Sequence, residues 1–256
     1  MTVLDFPAFK KEGKKISMIT CYDAAFAKIV GASNVDCILI GDSCSMVMHG
    51  KPTTVCGTMQ MMVDHTAAVR AGTDKFIVGD MPFLATRKSL ADTVESAGRL
   101  LAAGANAVKI ERIDTQADTI KYLVDSGIPV MAHLGLTPQF FNAMGGHKKQ
   151  GKTDSEAERI YQEALLAEKC GCFAIVLECI PDDLAGRITH AVSIPTIGVG
   201  SGRDCDGQVL VLQDALGMTQ GAPKFAHKFM DGWNLILGAL NDYDADTKGL
   251  SGQARQ

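Results

Sequence analysis

The sequence has no excess of positive charge. It contains 25 lysine and arginine residues and 29 aspartate and glutamate residues, a formal net charge of −4, and its isoelectric point is near 5.9. Proteins that bind nucleic acid usually carry a basic patch or stripe that neutralises phosphate groups. We therefore predict that this protein does not bind nucleic acid.

Long hydrophobic runs are also missing. No uninterrupted apolar segment approaches the roughly 18 residues that a membrane-spanning helix needs. The first 15 residues carry charge but are not followed by the apolar core and cleavage site of a secretory signal. These absences predict a cytoplasmic protein with no membrane partner.

Cysteine is present, but not in the spacing of a metal or redox motif. The chain has eight cysteines and no Cys-x-x-Cys pair, which is the usual core of such motifs. Several of them, such as Cys37, Cys170 and Cys172, lie in apolar or helix-like segments. In a cytoplasmic chain of this size we expect buried free thiols.

Short apolar runs alternate with helix-like segments along the whole chain. The predicted strands cover residues 16–20, 37–40, 76–78, 107–110, 130–133, 173–178, 196–199 and 209–212. Helices are predicted at 24–30, 58–71, 89–103, 115–126, 154–170 and 182–191, with a last one starting near residue 224. The strands are continuous apolar runs, as expected where both faces of a parallel sheet are buried.

Eight such units in 256 residues predict an α/β fold, a (β/α)8 barrel. The alternative is an open doubly wound sheet, which usually has a glycine-rich fingerprint after its first strand. Cys21, Tyr22 and Asp23 provide none. We predict one barrel domain over residues 1–256, with a short N-terminal helix, which could cover the bottom of the barrel, and a loose tail after Asp244.

Titratable residues lie at the ends of five predicted strands. They are Asp42, Asp80, Glu111, His133 and Glu178, on the second to the sixth strand. In a parallel barrel all strand C-termini open onto one mouth, where active sites are found. We therefore expect these five side chains to converge.

Three of these residues are carboxylates on adjacent strands. Asp42, Asp80 and Glu111 would repel one another in a small cavity unless their pKa values rise or a cation binds. Oxygen ligands favour Mg²⁺ or a similar hard cation. Helix capping or an ion pair with arginine could account for any one of these acidic residues. These structural roles account less well for three acidic residues on adjacent strands.

Lys109, His133 and Glu178 each have a structural and a functional interpretation. Lys109 shares a strand face with Glu111, so it either forms an ion pair there or holds an anionic ligand. His133 is either a structural or a catalytic histidine. Glu178 follows four apolar residues and suits a general base that acts on a carbon acid, although a helix cap would also explain it.

Two glycine-rich segments lie in the predicted loops. Residues 198–202 follow the seventh strand, a region that often binds phosphate in barrels. Residues 145–151 have the composition of a mobile flap. Glycine-rich loops are common, so neither segment identifies a ligand.

Seven short segments follow one another in order along the chain. They are Thr20-Cys21-Tyr22-Asp23, Gly41-Asp42-Ser43, Gly79-Asp80-Met81-Pro82-Phe83, Val108-Lys109-Ile110-Glu111, His133-Leu134-Gly135-Leu136-Thr137-Pro138-Gln139, Leu177-Glu178-Cys179-Ile180-Pro181 and Asp206-Gly207-Gln208-Val209-Leu210-Val211. Together they resemble the ketopantoate hydroxymethyltransferase family, and the similarity runs from residue 2 to residue 240.

The resemblance implies a barrel of the phosphoenolpyruvate/pyruvate superfamily type. It also implies transfer of a hydroxymethyl unit from 5,10-methylenetetrahydrofolate to 3-methyl-2-oxobutanoate through a metal-stabilised enolate. The product would be 2-dehydropantoate, on the route to pantothenate and coenzyme A. A homo-oligomer, specifically a decamer, is the assembly that the resemblance implies.

The resemblance also assigns roles to residues that match the family's motifs. The implied Mg²⁺ ligands are Asp42, Asp80 and Glu111, the last directly or through water. The implied substrate-binding residues are Asp42, Ser43, Asp80, Lys109 and His133. Glu178 is the implied proton acceptor.

Two other functions fit the sequence less well. A carbon–carbon lyase of the same superfamily would also use Mg²⁺ and an oxoacid, but would generally contain a loop motif with lysine and cysteine that is not found here. A barrel without catalytic activity could act as a binding or assembly protein, but the intact set of charged strand ends argues against it.

Overall fold

The computed structural model describes residues 1–249, and its strands form a closed parallel barrel in chain order. The strands are β1 Ile16–Thr20, β2 Cys37–Ile40, β3 Phe76–Asp80, β4 Ala107–Glu111, β5 Val130–Gly135, β6 Ala174–Glu178, β7 Thr196–Val199 and β8 Gly207–Leu210. This topology confirms the predicted (β/α)8 barrel.

Helices lie between the strands and flank them. They are α1 Asp5–Lys11, α2 Ala24–Ala32, α3 Cys44–Val47, α4 Met59–Arg70, α5 Leu90–Ala102, α6 Ala117–Asp125, α7 Phe141–Met144, α8 Asp154–Lys169, α9 Asp182–Ala191, α10 Leu212–Ala215 and α11 Gly232–Thr247. Single 3₁₀ turns occur at Thr54–Cys56, Ile113–Thr115 and Pro138–Phe140. None of the helices within residues 1–249 is both long and apolar enough to cross a membrane.

The chain divides into two compact units, one over residues 1–209 and a second that begins at residue 210. In the second unit, the backbone N–H groups of Phe229 and Gly232 donate to the carbonyl oxygens of Ala215 and Leu216, which connects α10 to the start of α11. The expectation of one domain over the whole chain stays a prediction. The expected loose tail falls mainly on residues 250–256, which lie outside the described part, and α11 includes the first three residues after Asp244.

Burial explains why the strands read as continuous apolar runs. Every residue of β2, β3, β4 and β5 is buried. A strand inside a (β/α)8 barrel has the packed interior on one face and the helices on the other, so neither face is free for polar residues. The polar residues at the C-terminal strand ends are exceptions to this pattern, and they mark the mouth of the barrel.

The N-terminal helix α1 supplies an aromatic side chain to the core at the opposite end. Phe6 is fully buried, and its ring lies 5.2 Å from that of Phe76 and 4.9 Å from that of Phe173, both edge to face. Lys10 donates to the carbonyl oxygens of Thr189 and Ile194 and to Asp206 Oδ2, at 2.6, 3.2 and 2.9 Å. Because β3 starts at Phe76 and β6 directly follows Phe173, helix α1 lies at the N-terminal ends of the strands.

The structure corrects the predicted limits of two elements. The eighth strand is Gly207–Leu210 and not 209–212, because Gly207 and Gln208 pair with Ile197 and Gly198 of β7. The last helix starts at Gly232 and not near residue 224. The segment before it contains Gly221 and Pro223 and folds into turns, so its apolar residues do not continue the helix.

We expect Phe6→Ala to lower the free energy of unfolding by about 3–5 kcal/mol, because it removes a fully buried ring that two other aromatic rings contact. Guanidinium unfolding followed by circular dichroism measures this change. Leu4→Ala is the matched control, since Leu4 is 82% exposed and its replacement should change stability little. Equal effects of the two substitutions would contradict the proposed packing role of Phe6.

Candidate active site

Pairing between the strands brings the predicted residues to one end of the barrel. Asp80 at the end of β3 is in register with Lys109 of β4, and Glu111 of β4 is in register with His133 of β5. On the next pair of strands, Gly135 is in register with Glu178. The expected convergence at the mouth therefore follows directly from the parallel register.

Asp42 and Asp80 belong to the same buried cluster. The backbone N–H of Asp42 donates to Asp80 Oδ2 at 3.0 Å, and the two residues are 4% and 2% exposed. Burial, followed by the negative charges of Asp80 and Glu111, raises the pKa of Asp42 well above its ordinary value. A Cβ on Gly41 would lie 2.7 Å from Ser43 Oγ, so this tight arrangement favours glycine at position 41.

Lys109 supplies a positive charge inside this cluster. Its Nζ lies 2.9 Å from Asp80 Oδ1 and 3.1 Å from His133 Nδ1. Burial acts to lower the pKa of Lys109, but the charges of Asp80, Glu111 and Asp42 outweigh it and raise the pKa. The ammonium group is therefore fixed in its charged form.

His133 lies between two carboxylates. Its Nδ1 is 3.3 Å from Glu111 Oε1, and its Nε2 is 3.1 Å from Glu178 Oε2. Burial and the charge of Lys109 act to lower the pKa of His133. The interactions with Glu111 and Glu178 outweigh them, and the net effect raises the pKa to about 9. The imidazole thus connects the carboxylate cluster to the end of β6.

Glu178 is the most accessible of these acidic groups. Its side chain is 19% exposed, whereas those of Asp80 and Glu111 are 3% and 2% exposed. The β5 and β6 ends approach closely here, because a Cβ on Gly135 would lie 2.3 Å from the carbonyl oxygen of Glu178. Gly135 has a φ of +89°, which also favours glycine. Glu178 is therefore positioned where a substrate can reach it.

Ser43 lies beside this cluster and is oriented by a buried tyrosine. The hydroxyl groups of Tyr22 and Ser43 are 2.9 Å apart, and Tyr22 is 1% exposed. Tyr22 belongs to a segment that supports the family resemblance, but nothing in that segment predicts that its side chain reaches the site. The sequence does not reveal whether a tyrosine that follows β1 is buried in the site or exposed to solvent.

Gln139 is a further site residue that sequence reasoning missed. Its Nε2 donates to Asp42 Oδ2 and to the carbonyl oxygen of Met81, both at 2.9 Å, and its backbone N–H donates to Glu111 Oε2 at 3.1 Å. Gln139 therefore bridges two of the proposed metal ligands. The only sequence signal was its place six residues after His133 in one of the seven segments.

The donor set fits a hard cation that two carboxylates hold. Asp80 Oδ1 and Glu111 Oε1 are buried, and each faces one basic group: Lys109 Nζ at 2.9 Å and His133 Nδ1 at 3.3 Å. Within residues 1–249, the structure contains no group of three or more histidine, cysteine, aspartate or glutamate side chains that could ligate one metal ion. Mg²⁺ usually takes one or two carboxylates and completes its shell with water and substrate oxygens. Asp42 and Asp80 meet that requirement, and direct ligation by Glu111 stays a prediction.

The two glycine-rich loops have different contacts. In the loop after β7, Ser201 Oγ donates to the carbonyl oxygen of Leu177 at 2.8 Å and accepts from Ile180 N–H at 3.3 Å. This loop is therefore fastened to the β6 end. In the 145–151 segment, Gln150 N–H donates to the carbonyl oxygen of Cys179 at 2.8 Å, which places the segment next to Glu178.

Known proteins resemble this chain over most of its length. A family profile described as ketopantoate hydroxymethyltransferase matches residues 1–251. The chain is 52% identical over 244 residues to the 3-methyl-2-oxobutanoate hydroxymethyltransferase of Bdellovibrio bacteriovorus, covering 94% of this chain and 93% of that protein. It is 50% identical over 251 residues to the protein of the same name from Coxiella burnetii, with 97% and 94% covered.

Solved structures with the same fold are more distant in sequence. Phosphonopyruvate hydrolase in complex with oxalate and Mg²⁺ has a TM-score of 0.64 at 12% identity, covering 98% of this chain and 100% of that one. 2,3-Dimethylmalate lyase, a member of the PEP mutase/isocitrate lyase superfamily, has a TM-score of 0.64 at 13% identity, covering 99% and 90%. These likenesses show the fold. The family profile and the relatives with about 50% sequence identity show that the chain belongs to the ketopantoate hydroxymethyltransferase family of enzymes.

Proposed function

We propose that the protein transfers a hydroxymethyl unit from 5,10-methylenetetrahydrofolate to 3-methyl-2-oxobutanoate and forms 2-dehydropantoate. The pathway to pantothenate and coenzyme A, and a cytoplasmic location, are parts of this proposal. One observation carries it: in a chain of this family, the buried Asp80–Lys109 ion pair lies beside Asp42 and Glu111 at the barrel mouth.

Binding of the oxoacid carboxylate is assigned to Lys109 and Ser43. The Lys109 ammonium group has three donor hydrogens, and its contacts with Asp80 and His133 leave at least one for a ligand. Tyr22 orients the Ser43 hydroxyl, so that Ser43 can donate to the same carboxylate. Both groups are fixed by buried neighbours, which holds the substrate in one orientation.

A hard divalent cation such as Mg²⁺, held by Asp42 and Asp80 with Glu111 nearby, would stabilise the negative charge that develops on the ketone oxygen during deprotonation. Gln139 keeps Asp42 and Glu111 in place through its hydrogen bonds to both. The fit rests on the buried carboxylates of Asp42 and Asp80, with that of Glu111 beside them, because the single charge of Lys109 does not balance all three.

Glu178 is the proposed general base. It removes the proton from the carbon next to the ketone, and this carbon forms the new C–C bond to the one-carbon unit. One water supplies the hydroxyl oxygen of the product, and tetrahydrofolate leaves as the C–N bonds to the one-carbon unit break. His133 Nε2, at 3.1 Å, orients the accepting carboxylate. The 145–151 segment is in contact with Cys179, and closure of this segment would exclude bulk water, apart from the one water that the transfer consumes.

We expect the protein to catalyse deuterium exchange at C3 of 3-methyl-2-oxobutanoate with Mg²⁺ and without folate, because deprotonation precedes transfer. Glu178→Gln should slow this exchange by roughly 10²–10⁴-fold, since it removes the base. Proton NMR of the substrate in D₂O measures the rate. Asp183→Asn is the control, because Asp183 is exposed on the adjacent helix α9. Undiminished exchange in Glu178→Gln would exclude Glu178 as the base.

The same exchange should depend on a divalent cation. Addition of a chelator is expected to abolish it, and Asp42→Asn should raise the Mg²⁺ concentration for half-maximal rate by at least about tenfold, because one anionic ligand is lost. Asp64→Asn, on the exposed face of α4, is the control. A protein that exchanges at full rate after chelation would refute the cation site.

We also propose that the protein is a homo-oligomer, a decamer as the family resemblance implies. Helix α11 supports self-association, because it exposes large apolar side chains whose contact with water is unfavourable. They include Trp233, Leu235, Ile236, Leu240 and Tyr243, which are 43–70% exposed.

Light scattering should therefore give a mass about ten times the 27.2 kDa of the chain. Leu240→Asp is expected to reduce this mass by placing a charge among the apolar residues of α11, whereas Asn241→Asp on the same helix should not. A wild-type mass of 27.2 kDa would contradict the assembly.

A further inference from the structure

A cavity opens beside the carboxylate cluster. It has a volume of about 200 Å³ and an apolar wall formed by Met81, Phe83, Leu84, Ile110 and Phe140. This volume is below that of pockets that enclose a whole drug-sized ligand, so a ligand of that size would place only its ring system inside. Ser43 and Lys109, which hold the oxoacid in the proposed reaction, are not among the lining residues. The cavity is therefore available to a second ligand.

Gln116 supplies a buried hydrogen-bond acceptor in the cavity lining. It is 6% exposed, and its Nε2 donates to the carbonyl oxygens of Glu111 and Arg112 at 2.8 and 3.5 Å. These two bonds fix the orientation of the amide, because the reverse orientation would set its oxygen against two carbonyl oxygens. The remaining atom, Oε1, is buried without a partner. Such an acceptor is costly to leave unpaired, which favours a ligand with an N–H donor.

Positive charge lies over the Phe140 wall of the cavity. The guanidinium groups of Arg87 and Arg112 lie 5.5 and 5.1 Å from the centre of the Phe140 ring. Arg112 is paired with Asp114 through two hydrogen bonds of 3.0 and 2.7 Å. Arg87 has no carboxylate within ion-pair distance among residues 1–249 and is exposed at the cavity. Its charge is thus available to an anionic group of a ligand.

The cavity adjoins the reacting groups. Glu111 and Gln139 line it, and Gln139 also donates to Asp42. A ligand that fills it therefore lies next to the carboxylates that would hold the cation and substrate. The lining therefore favours a ligand that combines a flat apolar ring system, an N–H donor and an anionic tail.

Of the two substrates in the proposed function, on which this inference rests, the folate has all three features. We propose that this cavity binds the folate, with Gln116 Oε1 accepting from an N–H of the pterin ring and Arg87 pairing with the glutamate carboxylates. The rings lie against the Phe140 wall. This arrangement orients the one-carbon unit toward the oxoacid beside Glu111.

Calorimetric titration of the full chain with Mg²⁺ and the oxoacid present tests the Arg87 contact. The probes are 5-formyltetrahydrofolate and 6-methyltetrahydropterin, which lacks the p-aminobenzoylglutamate and therefore every carboxylate. Arg87→Gln should raise the Kd of the first probe about tenfold, because it removes a charge-assisted contact, and leave that of the second unchanged. Lys88→Gln removes a charge at the next residue, which is also exposed, and should change neither. Equal weakening by both variants would overturn the assignment of Arg87.

A matched pair of variants tests the acceptor. Gln116→Leu and Gln116→Glu both lose the Nε2 donor, but only the glutamate keeps an oxygen that can accept. We expect Gln116→Leu to bind 5-formyltetrahydrofolate about tenfold more weakly than Gln116→Glu, and both to bind p-aminobenzoylglutamate, which lacks the pterin, equally. Thermal melting confirms that each variant is folded. Identical affinities of the two variants for 5-formyltetrahydrofolate would overturn the assignment of Gln116.

Competition separates this inference from the proposed function. If wild-type protein exchanges deuterium but 3-methyl-2-oxobutanoate displaces 5-formyltetrahydrofolate competitively, both ligands share one site and the cavity assignment fails alone. If wild-type protein gives no exchange with Mg²⁺, the proposed function fails, whatever the folate titrations give. Simultaneous binding of both ligands, together with the expected effects at Arg87 and Gln116, supports the cavity as the folate site.

Discussion

Buried negative charge at the barrel mouth is the constraint on which the site depends. Asp42, Asp80 and Glu111 are each at most 4% exposed, and Lys109 pairs closely with only one of them, Asp80. Carboxylates removed from water need paired charges and hydrogen bonds. Neighbouring groups meet part of this need: the Gln139 amide, the Asp42 N–H and the His133 ring. The raised pKa of Asp42 indicates that these partners compensate its buried negative charge only in part. A bound cation would supply the missing positive charge.

The barrel provides the rigidity that such a cluster requires. Each acidic group lies at a strand end that is hydrogen-bonded to its neighbours, so repulsion between the groups cannot separate them without breaking the ladder. The aromatic packing of Phe6 stabilises the opposite end of the same strands. The stability of the core and the chemistry of the mouth are therefore properties of one set of strands, and this agrees with the general division of barrels into a stabilising and a reactive face.

The sequence predicted what depends on strand periodicity and missed what depends on loops. The eight strands and the shared location of Asp80, Lys109 and Glu178 followed from apolar runs and their polar ends. Gln139 could not be found in this way, because its place depends on a 3₁₀ turn at Pro138–Phe140 that folds it back over β2 and β4. The start of the last helix was misplaced because apolar residues before Gly232 lie in turns, and composition alone does not distinguish the two states.

The segment around Gln139 connects the two halves of the proposed site. Gln139 contacts Asp42 and Glu111, and the next residue, Phe140, contributes a wall of the cavity and lies under two guanidinium groups. A ligand that shifts Phe140 must also shift Gln139, and a change at the carboxylates must be felt at Phe140. Because coupling between two binding events is reciprocal, any effect that occupation of the cavity has on the carboxylate cluster is matched by an equal effect of the cluster on the cavity. Such coupling would run through adjacent residues in one turn and would need no long-range rearrangement of the barrel.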